Sequence, residues 1–136
     1  MTAQDFTLDA RLAGDTALVG DFALSRVLVM NDRRYPWLVL VPRRVGMVEP
    51  FDLNAQALDI LWRETMQAAR ALKQETACRK VNVGALGNVV AQLHVHVVAR
   101  HTGDPAWPGP VWGHSPAVPY NSAARDLLIA RVQNFR

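Results

Sequence analysis

Lysine is almost missing from this chain: Lys73 and Lys80 are the only two, against thirteen arginines in 136 residues with a formal net charge of +3. The arginines are scattered, so they form no basic stripe, and nucleic acid is not an expected partner. Arg33-Arg34 and Arg43-Arg44 could contact phosphates, but paired basic residues beside strands read first as solvated residues of turns. Cysteine is missing except for Cys78, expected at a helix end; no internal disulfide can form and no oxidising compartment is needed. No apolar run approaches the ~18 residues that span a bilayer. The opening Met1-Thr2-Ala3-Gln4-Asp5 has no basic region leading into an apolar core. A cytoplasmic protein with no membrane partner is therefore expected. Internal repeats and low-complexity tracts are also absent. What remains is an ordinary globular balance, 50% hydrophobic and 20% charged, which argues against disorder and suits one compact domain over 1–136.

Three short strands are predicted first: Ala17 to Phe22, Val27 to Met30 and Trp37 to Val41, with turns at Gly20-Asp21 and Asn31-Asp32. Antiparallel hairpins are the simplest connections. Pro36 disfavours helix at Tyr35, and Pro42 stops the third strand. From Asn54 to Thr76, Leu58, Leu61, Trp62, Thr65, Met66, Ala69 and Leu72 return every three or four residues, which predicts the main helix with Asp52 or Asn54 as its cap. Two further strands follow, Lys80 to Leu86 and Gln92 to Arg100. Proline and glycine dominate from Gly103 to Pro119, and Asn121 or Ser122 can cap a last helix at about 121–134. Strands that cluster instead of alternating with helices give an α+β fold on an antiparallel sheet of about five strands, with a main helix and a C-terminal helix.

The segment Gln92-Leu93-His94-Val95-His96-Val97-Val98 alternates polar and apolar residues. A strand would put Gln92, His94 and His96 on one face and Leu93, Val95 and Val97 on the other. Three readings of that face stand open. It is a polar sheet face with satisfied histidines; or a zinc site completed by His101 or His114, although no acidic or cysteine ligand lies at a suggestive spacing; or a nucleophilic site. In the last, neutral His94 attacks phosphorus and forms a phosphoramidate that water hydrolyses. A hydrogen bond from its other ring nitrogen to a carbonyl would fix the useful tautomer.

The heptad resembles the signature of the histidine triad (HIT) family, His-φ-His-φ-His-φ-φ with φ apolar, with Gln92 at the first histidine. Further likenesses lie outside it. Tyr35 to Arg43 resembles the family's strand ending in Val-Pro-Lys or Val-Pro-Arg. Asn82-Val83-Gly84 and Gly87-Asn88 resemble the Gly-rich approach to the triad, and Trp107-Pro108-Gly109 resembles its Trp-Pro segment. The likeness runs from about Thr16 to Gly113.

The resemblance implies a homodimer and hydrolase or nucleotidyl transferase activity at the α-phosphorus of dinucleoside polyphosphates or nucleoside phosphoramidates. A purine nucleotide is the implied substrate, and no metal or other cofactor is required. Carried over by position, His94 is the nucleophile and His96 contacts the phosphate. Asn31 holds the ribose; Asn82, Gly87 and Asn88 line the phosphate pocket, where backbone N–H groups cradle oxyanions. Two departures stand out: Gln92 can hydrogen-bond but cannot serve as an acid, and Trp37 occupies the place of a further upstream histidine in many members. On its own, a Trp in a strand reads as core. Trp107 and Trp112 read equally as packing of the Pro-rich loop or as a cover for a base or another subunit, and His101 and His114 read as surface residues. The rival functional readings are a nucleotide-binding module without useful turnover and, more distantly, a metal-binding protein.

Overall fold

In the computed structural model, which describes residues 5–135, five strands form one antiparallel sheet in the order β1-β2-β3-β5-β4. The strands are β1 (Thr16–Asp21), β2 (Ser25–Met30), β3 (Trp37–Pro42), β4 (Lys80–Gly84) and β5 (Val95–Arg100). Helices α1 (Ala10–Asp15), α2 (Ala55–Thr76) and α3 (Ser122–Val132) complete the α+β fold. Helix α1 and a 3-10 turn at Pro50–Asp52 have no counterpart among the predicted elements, being too short to show a period. Among the described residues no helix is long and apolar enough to cross a membrane.

Every residue of β3 and of β5 is buried, because both faces of the sheet are covered; that is why β3 reads as a near-continuous apolar run. On one face Val27, Leu38, Leu40, Val97 and Ala99 pack under Ala68 and Leu72 of α2 and Val132 at the end of α3. On the other, Leu28, Trp37, Val39 and Val98 pack against Leu12 of α1 and against Ala106 and Val111 of the loop after β5. Each such Val or Leu contributes about 1.5–3 kcal/mol when fully buried.

Helix α2 is capped by Asn54, whose side chain accepts the Ala57 N–H at 2.8 Å. Asp52 instead accepts from Val48 and Glu49 in the preceding turn. The helix is rotated from the expected stripe. Leu58 and Trp62, expected to face inward, are 37% and 60% exposed, while Glu64 is buried with its carboxylate accepting the N–H groups of Leu24 and Ser25 at 2.9 and 3.0 Å. A carboxylate bonded to two backbone donors at the start of β2 is tolerated in the core, and its place on the helix turns Leu58 and Trp62 outward.

Strand β5 begins at Val95, three residues later than predicted. Its register against β3 runs from Trp37↔Val98 to Leu40↔Val95. Before Val95 the chain leaves the sheet, and the Leu93 N–H turns to the Met47 carbonyl at 3.0 Å. Strand β4 likewise ends at Gly84 rather than Leu86.

Candidate active site

Strand alternation carries forward to the histidines. Val95, Val97 and Ala99 enter the cores on the α2 side, so His96, Val98 and Arg100 point to the opposite face. His94 and His96 are each 6% exposed, with ring centroids 4.8 Å apart in an edge-to-face pair. Both border a cleft of about 560 Å³ walled by Gly87, Asn88 and Val89 on one side and by Asp32, Arg34 and Ser115 on another. Gly87 has φ +74°, a left-handed conformation that glycine adopts without strain.

Each ring has one nitrogen committed. His94 Nδ1 lies 2.6 Å from the Gln92 carbonyl. A carbonyl only accepts, so Nδ1 carries a proton, and in the neutral tautomer of the ring Nε2 keeps the lone pair. For His96 the order is reversed. The Trp37 indole Nε1, which only donates, lies 3.0 Å from His96 Nδ1, so the neutral His96 ring carries its proton on Nε2. Burial, helped by the neighbouring His94, pushes the His96 pKa down to about 4. Trp37 is thus core, as a strand Trp commonly is, and also a partner of the site.

Gln92 is not beside the histidines' reactive edges. Its Nε2 donates to the Thr7 carbonyl at 2.9 Å and its Oε1 accepts the Asp9 N–H at 2.8 Å, so the side chain ties down the segment before α1. The expectation that it shares a face with His94 and His96 fails because alternation applies within a paired strand, and residue 92 lies outside β5. What Gln92 offers the site is its backbone carbonyl.

Asn31 is also displaced from its expected role. Its Oδ1 accepts the Tyr120 N–H at 2.9 Å, and the neighbouring Asp32 is the residue on the cleft wall. Asn82 lies on β4 opposite Val98, but its Oδ1 accepts from Arg100 Nη1 at 2.8 Å and it is not on the cleft wall. Gly87 and Asn88 do line the cleft. His101 faces the Thr76 carbonyl at 3.2 Å, and His114 is exposed beside Ser115. Among the described residues no three His, Cys, Asp or Glu side chains gather.

Two ion pairs around the site escaped sequence reading. Arg34, expected to be solvated, clamps Asp32 through Nε at 2.9 Å and Nη2 at 2.8 Å and reaches Ser115 Oγ. Burial acts to raise the Asp32 carboxyl, but the Arg34 hydrogen bonds and charge outweigh it and hold the group below the usual carboxylate range. Arg100, 1% exposed, holds Asp104 by two bonds at 2.8 and 2.9 Å. There too burial is outweighed, by Arg100 and the His101 and Trp107 N–H groups, and the carboxyl stays low. This pair pins the loop that brings Trp112 against His96, with ring centroids 5.6 Å apart. The signal for it was Arg100 itself, four residues after His96 and so on the same strand face. Trp112 also lies on Gly84, where a Cβ would fall 3.2 Å from its Cη2. Of the two Pro-rich-loop tryptophans, Trp112 borders the cleft and Trp107 lies over the Arg100 guanidinium.

The HIT domain family model matches residues 12–103. Similar solved structures include a histidine triad protein from Sinorhizobium meliloti, 45% identical with a TM-score of 0.97, covering 99% of this chain and 100% of that one. Another, from Bradyrhizobium japonicum, is 46% identical with a TM-score of 0.92, covering 94% and 96% of the two chains. A third, from Marinobacter aquaeolei, is 42% identical with a TM-score of 0.93, covering 96% and 95%. No curated protein matches the sequence. With that extent of match, in sequence and in fold, the chain belongs to the histidine triad family.

Proposed function

We propose that this protein is a nucleotide hydrolase or nucleotidyl transferase acting at the α-phosphorus of dinucleoside polyphosphates or nucleoside phosphoramidates, with His94 as nucleophile. Histidine triad membership supports nucleotide binding with hydrolase or transferase activity. The observation that carries the finer reading is the 2.6 Å bond between His94 Nδ1 and the Gln92 carbonyl. It leaves Nε2 as the ring's only free lone pair and stabilises the positive charge the ring acquires when Nε2 bonds to phosphorus.

The other assignments follow from the cleft. The Nε2–H of His96 donates to a nonbridging phosphate oxygen, together with backbone N–H groups of Gly87 and Asn88. Asp32 takes the ribose-facing role expected of Asn31, since its carboxylate can accept further bonds beyond those from Arg34. Leu12, Met30, Val111 and Trp112 supply apolar wall suited to a purine. The chemistry as written requires no metal. A homodimer is the proposed assembly, supported by edge strand β4 and the exposed Leu58 and Trp62 of α2; light scattering tests it.

The deciding experiment offers adenosine and guanosine substrates of both classes and follows mononucleotide release by chromatography. Rapid quenching with labelled substrate is expected to trap an acid-labile, base-stable adduct on His94. Release of no mononucleotide from any substrate, or an adduct elsewhere, ends this reading.

A further inference from the structure

We propose that Trp37 is a specificity-determining residue: by donating its indole N–H to His96 it denies the site a proton donor, restricting transfer to leaving groups that depart as stable anions. This rests on the nucleotidyl-transfer reading above and narrows its substrates.

The geometry leaves His96 little freedom. Trp37 is buried in β3, braced edge-on by Tyr35 and Trp112 at 6.4 Å each. His96 is wedged between Trp37 and Trp112, 5.6 Å from each ring. Protonating His96 Nδ1 would set two N–H groups against each other across 3.0 Å. Turning the ring away would leave a buried indole N–H unpaired, which itself costs free energy. Burial and His94 oppose the charged ring as well. His96 therefore donates a hydrogen bond from Nε2 but keeps the proton.

Among the described residues no neighbour makes up the loss. The Gln92 amide is bonded to Thr7 and Asp9 and cannot act as an acid. The His94 Nδ1 proton is held by the Gln92 carbonyl. Across the cleft, Arg34 holds the Asp32 carboxyl ionised and is itself held charged by Asp32. Asp15, the remaining acidic side chain on the cleft, is exposed at its rim.

The consequence falls on the bond that breaks. As His94 Nε2 bonds to the α-phosphorus, the bond to the leaving group breaks and its electron pair goes to the departing atom. A phosphate or an acidic phenolate takes that pair without a proton. An amine cannot: the P–N bond would release an amide anion unless nitrogen is protonated first. In the second step a water oxygen bonds to phosphorus, the P–Nε2 pair returns to the imidazole, and the water proton passes to solvent.

The test compares kcat/KM for nucleoside 5′-aryl phosphates of graded phenol acidity and for a nucleoside 5′-phosphoramidate, with 15N NMR of His96 in the free protein. Expected are rates that climb steeply as the phenol becomes more acidic, and a phosphoramidate slower than the most acidic ester by at least ~100-fold, the contribution of a missing general acid. The NMR spectrum should place the proton of His96 on Nε2. In Trp37→Phe, which keeps an aromatic ring but loses the indole N–H donor, the His96 pKa should rise by about one unit and the phosphoramidate-to-ester ratio near pH 6 by ~10-fold, the worth of one hydrogen bond. A phosphoramidate within about tenfold of that ester in the wild type, or a proton on His96 Nδ1, overturns the proposal alone. Release from none of the substrates overturns it together with the nucleotidyl-transfer reading.

Discussion

The two faces of the sheet draw on the same strands and are buried alike, yet one is inert and the other is a candidate active site. On β5, Val95, Val97 and Ala99 turn toward α2, while His96, Val98 and Arg100 turn toward the cleft. The α2 side is held by apolar fit, with Glu64 as a polar member bonded to two backbone N–H groups. The cleft side buries His96 at 6% and Arg100 at 1% exposure. They are tolerated because each has a partner of fitting chemistry: Trp37 for one, Asp104 and Asn82 for the other. Burying an imidazole or guanidinium without such partners costs several kcal/mol. The chemistry of this sheet therefore lies in which polar atoms are committed to partners, such as His94 Nδ1 to the Gln92 carbonyl, while the ring itself borders the cleft.

The sharpest way to separate the faces is catalytic. His94→Asn should lower kcat by ~10³-fold or more while nucleotide binding persists, measured by single-turnover kinetics and titration on a variant with unchanged circular dichroism. On the other face, Leu72→Ala should cost ~3 kcal/mol in urea unfolding and leave kcat per folded molecule unchanged. Arg100→Met should cost a similar ~3 kcal/mol, because Asp104 stays buried without its countercharge; unlike Leu72→Ala it should also raise KM, since the loop bearing Trp112 loses its pin. Equal kinetics for these two variants would dissolve the distinction between the faces.

Acid should weaken the cleft face first. The unfolded chain protonates His96 from about pH 6.5 downward, whereas the folded protein resists until about 4. Between those values the unfolded state binds more protons, so stability rises with pH, and acidification across the window removes ~3 kcal/mol. Urea midpoints from pH 7 to 4 measure the slope, and His96→Gln should flatten it. Asp32 and Asp104, held low by their arginines, contribute stability above the ordinary aspartate pKa of about 3.9 and lose it below, outside this window. The smallest effect is expected of Gln92→Ala. Two hydrogen bonds to the segment before α1 disappear, for ~1–2 kcal/mol, but the carbonyl on His94 remains, so turnover should fall less than ~10-fold. A loss matching that of His94→Asn would show that the side chain does more than tie down Thr7 and Asp9.

Much of this was legible in the chain. The α+β order, β3 ending at Pro42, α2 ending at Thr76 and the placement of His96 on the face away from α2 all follow from local period and turn chemistry. Gln92 was misplaced because strand register stops at Val95, and nothing in the heptad marks that stop. Asn31 and Asp32 are adjacent in one turn, and their side chains part company only once Tyr120 and Arg34 arrive. The stripe on α2 was misread because Glu64, a charged residue, faces inward to backbone donors of β2.

Sequence alone determined the five strands, the two longer helices and the two imidazoles in outline, since those depend on residues a few positions apart, where periodicity and capping act. The tertiary structure decided the protons. Trp37 and His96 are 59 residues apart, and Gln92 lies 85 residues from Thr7. A buried ring's tautomer is set by whichever donor or acceptor the fold brings to within about 3 Å of it, and no local pattern in the chain encodes that meeting.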